Sequence, residues 1–291
     1  MPSGSGCCHN PNVASAGHRS LAPPESVEIN RALRRWIEAL GARTRRVDEG
    51  AGRAAHFAVA TASRDVSTWG PESAAQARTL GVDSVPIALC IAIFTGIVLS
   101  LLASYSFTGA LPLYFVGTLI ENTITMELTP ALTGLALAGR VGANIAAELG
   151  SMRVTEQIDA LETLTYDPFA YLVVPRVIAG IVMFPVVVGL AMIVGVGAGS
   201  AASVSLLDLS SHDFLRGLRL FFQTFDVQYG LVKSASFGGA VTLIGSLHGM
   251  QAQGGAPGVG RAATNAVVYS AVVILVLDAF WAVDWLLGRS S

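Results

Sequence analysis

Residues 177–207 read VIAGIVMFPVVVGLAMIVGVGAGSAASVSLL and contain no charged side chain. A helix needs about 20 predominantly apolar residues to cross the hydrocarbon core of a bilayer. This run is longer than that, so it predicts a membrane-spanning helix. Gly189, Gly195 and Gly199 recur along it. Small residues let a second helix approach closely within lipid, which is a packing signal and not a chemical one.

Four more runs of this kind flank it. Residues 85–104 carry no charge, and residues 111–139 carry only Glu121 and Glu127. Residues 230–250 are apolar except for Lys233 and His248, and residues 266–287 hold Asp278 and Asp284. Five spans are therefore predicted, in an all-α polytopic membrane protein. The composition agrees: 52% of residues are hydrophobic and 13% charged, against about 25% charged in a soluble domain. The 31 glycines fit as well, because Gly is more frequent in transmembrane helices than in soluble ones.

Charge is sparse and uneven. The net charge of −2 gives no footing for nucleic acid. Arg31, Arg34, Arg35, Arg43, Arg45, Arg46 and Arg53 crowd one segment before the first span. Positive charge collects on the cytoplasmic side of a membrane, so a cytoplasmic N-terminus is predicted. The connections 140–176 and 251–265 then fall inside, with Arg140, Arg153, Arg176 and Arg261. The outside loop 208–229 holds Arg216 and Arg219 against the trend.

Residues 1–25 are rich in Ser, Gly, Pro and Ala and are expected to be a disordered tail. Cys7 and Cys8 sit in that tail and Cys90 lies in an apolar run, so no disulfide framework emerges. Val27, Leu33, Trp36, Ile37 and Leu40 recur at roughly helical spacing with arginines opposite. That pattern suits a helix lying in the membrane interface, and residues 52–66 are a weaker second case. Residues 26–80 are thus expected to hold cytoplasmic amphipathic helices, and residues 81–291 the membrane domain.

Catalytic motifs are missing. Lys233-Ser234 follows Val232 and not Gly, so there is no P-loop. Neither H-E-x-x-H nor G-x-S-x-G occurs. Residues 258–263 match G-x-G-x-x-A but follow no strand, and a loop is expected there. No catalytic residue, metal site or cofactor is predicted, and any ATP would be used by a separate subunit.

The polar connection GRVGANIAAELGSMRVTEQIDALETLTYDPFAYLVVPR, residues 139–176, stands out from its surroundings. Residues 155–166 suggest a short helix with Thr155 as its cap and Glu156 at the positive end of its dipole. Asp167-Pro168 would stop it. Glu156, Asp159 and Ala160 share one face; Ile158, Leu161 and Glu162 share another. Such a helix docks on a soluble motor or is a solvated loop helix. Arg140 with Glu148, and Arg153 with Glu156, are expected to form an ionic network bracing it.

Within the spans, a carboxylate at membrane depth such as Glu127 faces a cavity or a partner. Lys233 is expected at the entrance of the fourth span, snorkelling to headgroups or pairing with Asp226. His248 is expected to be structural. Ile97, Leu101, Leu102 and Tyr105 are candidates to line an apolar cavity between the first and second spans.

Residues 138–162, AGRVGANIAAELGSMRVTEQIDALE, resemble the signature of the MlaE/YrbE permeases. So do Asp167-Pro168 and the stretch Tyr171-Leu-Val-Val-Pro-Arg176 after them. These permeases are the membrane subunits of Mce-associated lipid ABC transporters. The likeness continues in Leu231-Val-Lys-Ser234 and in GAPGVGRAATNAVVYS, residues 255–270, and covers roughly residues 52–288.

The resemblance implies an interfacial helix followed by five spans in the bacterial inner membrane. It implies a homodimer with two copies of an ABC ATPase and a periplasmic Mce-domain partner. The cargo implied is phospholipid, moved between the inner membrane and a periplasmic carrier in service of envelope lipid homeostasis. It makes helix 155–166 the coupling element, with Glu156, Asp159, Glu162 and Arg153 towards the ATPase. It also places Glu127 at the lipid cavity. The family's R-E-L-G-P reads Met126-Glu127-Leu128-Thr129-Pro130 here, so Met126 stands where the family has a cation. A stand-alone scramblase or a membrane-embedded lipid enzyme is the alternative. The enzyme would need clustered Asp, His or Ser within the spans.

Overall fold

A computed structural model of the chain describes residues 66–106, 115–164, 167–206, 210–221 and 223–290. All of these belong to one unit, Gly52–Ser291. The arginine cluster, the cysteine pair and the amphipathic helices expected over 27–47 and 52–66 lie outside the described residues.

Every described element is helical. Helix α1 (Val66–Gly81) leads through a 3-10 turn (Val82–Ser84) into α2 (Val85–Ser106). Helix α3 covers residues 115–154 and holds two π turns, Ile124–Leu128 and Ala138–Gly142. Its backbone stays right-handed helical at Thr123, Leu128, Leu137 and Gly142, where the segments join. Then come α4 (Gln157–Thr163), α5 (Pro168–Leu206), α6 (Ser211–Phe221), α7 (Thr224–Met250) and α8 (Gly255–Ser290).

Four stretches are long and apolar enough to cross a membrane: Ser73–Ala103, Tyr171–Ser205, Thr224–Met250 and Gly255–Val283. They fall on four of the five predicted spans. The remaining one falls on α3, whose apolar half is broken by its π turns. Pro130 accounts for the first break. It lacks the N–H that would bond the Met126 carbonyl one turn back, and a π turn absorbs the lost bond.

The outer surface is apolar. Phe94, Leu102, Val182, Ile193, Val276 and Phe280 are all exposed. In water that would be an aggregation surface; in lipid it is the ordinary solvent-facing side. Inside, Ile145, Leu149, Ile158, Phe184, Phe237, Val241 and Ile274 form one buried core.

Glycines set the helix crossings. A Cβ at Gly96 of α2 would overlap the Gly195 carbonyl oxygen of α5 and lie 3.0 Å from the Gly199 nitrogen. A Cβ at Gly245 of α7 would lie 2.9 Å from the Gly142 oxygen of α3. Two of the three glycines noted in residues 177–207 therefore sit at a close crossing.

Several local expectations are corrected. Thr155 does not cap a helix beginning there. It ends α3, and its hydroxyl donates to the Ser151 carbonyl at 2.9 Å. Glu156 then turns the chain with φ 61, and α4 starts only at Gln157. Asp167-Pro168 opens the following helix: the Phe169 N–H donates to Asp167 Oδ1 at 3.0 Å, with Pro in the first turn where no donor is needed. Residues 258–263 are helical and not a loop, because α8 begins at Gly255. Gly254 (φ 87) and Gly255 (φ 72) supply the sharp entry.

Candidate functional site

Lys233 lies nine residues into α7, about 13 Å from its start at 1.5 Å per residue. Its side chain is 0% exposed. A buried ammonium needs partners, since its desolvation is costly. It has two: Glu127 Oε2 of α3 at 2.6 Å and Asp278 Oδ1 of α8 at 2.9 Å. It also approaches the Met126 carbonyl at 3.5 Å, the oxygen that Pro130 leaves without an amide donor. The Tyr229 ring lies 5.6 Å from the ammonium and packs edge-on against Trp281. Trp281 Nε1–H donates to Ser236 at 3.0 Å. This corrects both expectations for Lys233: it does not snorkel, and its ion-pair partners are Glu127 and Asp278. The reason is that α7 starts at Thr224, earlier than the apolar run suggests.

Beside this cluster, α3, α5, α6 and α7 line an open cavity of about 720 Å³. Its α5 wall is aliphatic, with Val186, Leu190, Ile193 and Val196, and Leu218 of α6 closes one side. Gly189 of α5 and Leu231 of α7 line it as well. Polar lining comes from Glu121 and Thr125 of α3. The volume lies within the range of small-molecule and cofactor sites, about 300–1,000 Å³.

Ile97, Leu101 and Tyr105 do not line this cavity. Ile97 borders a separate groove of about 600 Å³ against Gly197, Ala201 and Ser205 of α5. Leu101 and Tyr105 are exposed, as is Leu102. Of the predicted cavity set, Glu127 and Met126 stay together at the Lys233 cluster. Lys233, from another helix, is the cation that stands beside Glu127 there.

The other end of α3 carries the coupling candidates. Arg176 of α5 is buried, donates to Glu148 at 2.7 Å and to the Leu172 carbonyl at 2.7 Å. Glu148 therefore pairs with Arg176 and not with Arg140. The π turn Ala138–Gly142 contains Arg140, and the extra residue rotates everything after it. Among the described residues Arg140 has no ion-pair partner. Arg153 likewise pairs with Asp159 and not with Glu156, because Glu156 occupies the turn. On α4, Ile158 is fully buried and Leu161 packs on the core, while Asp159, Ala160 and Glu162 are exposed. His248 bonds the Ile244 carbonyl through Nδ1 at 3.0 Å and stacks on Tyr269.

Sequence reasoning passed over Asp278 and Arg176 as partners, and Glu121 as part of a cavity wall. Each is a charge inside or next to an apolar run, and that placement was the available signal.

The family model described as "Permease MlaE" matches residues 73–283. The chain belongs to the MlaE permease family. A probable ABC transporter permease protein of Rickettsia felis is 43% identical over 197 residues, covering 68% of this chain and 76% of that protein. A probable ABC transporter permease protein of Synechocystis is 41% identical over 216 residues, covering 74% and 81%. The intermembrane phospholipid transport system permease protein MlaE of Haemophilus influenzae is 32% identical over 209 residues, covering 70% and 78%. The match to the MlaE permease family opens within α1 and closes within α8, so the cavity, the Lys233 cluster and α4 all lie inside it.

Proposed function

We propose that this chain is the membrane subunit of an ABC transporter that moves phospholipid between the inner membrane and a periplasmic Mce-type partner. It acts as a homodimer, with the ATPase on separate subunits below. The observation that carries this reading is the cavity among α3, α5, α6 and α7. Its aliphatic wall suits acyl chains, which need apolar surface and no hydrogen bonds. The names of the Rickettsia, Synechocystis and Haemophilus relatives support it.

Helix α3 links the two ends of the mechanism. Its first half lines the cavity through Glu121 and Thr125 and joins the Lys233 cluster through Glu127. Its far end leads through Glu156 into α4. With a cytoplasmic N-terminus and α3 as the second span, α4 faces the ATPase. Glu156, Asp159 and Glu162 then present carboxylates to it, and Arg153 braces Asp159. ATP-driven closure pushes α4. The push travels along α3, whose π turns are the places where it can bend, and the cavity narrows. Lipid leaves towards the Mce partner or enters from it.

The test is affinity purification from the native membrane with mass spectrometry of proteins and lipids. Recovery of an ABC ATPase, an Mce-domain protein and retained phospholipid is the expected result. Recovery of the chain alone under every detergent condition overturns the reading.

A further inference from the structure

Glu121 is 3% exposed, lies on the wall of the cavity, and neither carboxylate oxygen has a hydrogen-bond partner. Leaving a buried acid unsatisfied is costly, and ionisable groups at membrane depth face a cavity or a partner. Among the described residues no cation answers Glu121: the one lysine of α7 is already held by Glu127 and Asp278. The site therefore calls for a positive charge from outside the chain.

The surroundings narrow its nature. A hard metal ion takes about six oxygen ligands. This wall offers one carboxylate and the hydroxyl of Thr125 among aliphatic side chains. An occupant with an apolar body and one cationic group satisfies both halves. Glu121 lies six residues into α3, about 9 Å from its start, and shares the cavity with the aliphatic α5 wall.

We propose that this cavity selects phospholipids whose headgroup carries an ammonium, ethanolamine or choline, and that Glu121 is the residue that receives it. This rests on the phospholipid-permease reading. The ammonium donates charge-assisted hydrogen bonds to the carboxylate, and the acyl chains run along Val186, Leu190 and Ile193. A lipid with phosphate and no cation meets repulsion from Glu121.

The test uses the full chain in complex with its ATPase. The complex is equilibrated with equimolar phosphatidylethanolamine and phosphatidylglycerol and read by native mass spectrometry. The wild type is expected to retain the ethanolamine lipid by about tenfold, the ratio one charge-assisted hydrogen bond supplies. Glu121→Gln, nearly the same shape, brings the ratio close to one while total lipid and ATPase stay bound. A wild type without preference overturns the proposal, and this arm needs no variant to fold. So does a Glu121→Gln complex that keeps the wild-type ratio. Displacement of the ethanolamine lipid by millimolar free ethanolamine would assign the site to a soluble amine and overturn the lipid assignment. A complex retaining ATPase and lipid of both classes equally sinks this inference alone; loss of lipid and ATPase together sinks the permease reading beneath it.

Discussion

The Lys233 ammonium lies 2.6 Å from the Glu127 carboxylate and 2.9 Å from that of Asp278, so one buried cation ties α7 to both α3 and α8. Removing one member of a buried ion pair costs about 3–5 kcal/mol, because the remaining charge is left uncompensated. Glu127 and Asp278 keep some exposure, which places Lys233→Met near about 3 kcal/mol. Adding Glu127→Gln and Asp278→Asn to that variant recovers most of the loss. Thermal unfolding in detergent checks this, and a Lys233→Met protein that melts with the wild type contradicts it.

Helix crossings give a second prediction. Gly96→Ala forces a methyl onto the Gly195 carbonyl, where backbone cannot yield. Overpacking of this kind costs about 1–3 kcal/mol. Gly197→Ala on α5 meets nothing within 4 Å and gains up to about 1 kcal/mol of helix propensity. The two melting temperatures should move in opposite directions; equal shifts would rule out the crossing as the cause.

The α4 helix separates stability from coupling. Arg153 and Asp159 are 36% and 51% exposed, and an exposed pair contributes at most about 1 kcal/mol. Asp159→Lys should therefore leave the melting temperature nearly unchanged. ATPase co-purification should fall about tenfold, since like charges opposed at an interface cost several kcal/mol. Undiminished recovery of the ATPase removes Asp159 from the coupling surface.

Glu156 holds φ 61, a conformation that costs a non-glycine residue about 1–2 kcal/mol. Glu156→Gly relieves that cost and should raise the melting temperature slightly. Glu156→Val, branched at Cβ, should lower it by more than about 1 kcal/mol. Hydrogen exchange across α4 reads the joint directly: Val should loosen it and Gly should not.

The spans were legible wherever they were uniformly apolar. Residues 177–207 fall on α5 because nothing in them competes with lipid burial. The polar stretch 139–176 predicts a connection, yet most of it is the end of α3 and the beginning of α5. Val141, Ile145 and Leu149 are buried at a spacing of four. That stripe marks a helix with one protein-facing side, and hydropathy alone averages it away. The starts of α7 and α8 escape hydropathy because residues 224–229 and 255–265 are less apolar than the runs they precede.

By itself the sequence determined that this is an all-α membrane protein, where its most apolar helices lie, and that its few intramembrane charges matter. Those follow from transfer free energies, which depend on composition along one segment. The partners of those charges were decided only by tertiary structure. Lys233 meets Glu127 and Asp278, 106 and 45 residues away, because glycine-set crossings and a proline-induced π turn fix how the helices rotate against each other. Glu121 faces an open cavity for the same reason: the rotation of α3 about its axis belongs to the bundle and to no single segment.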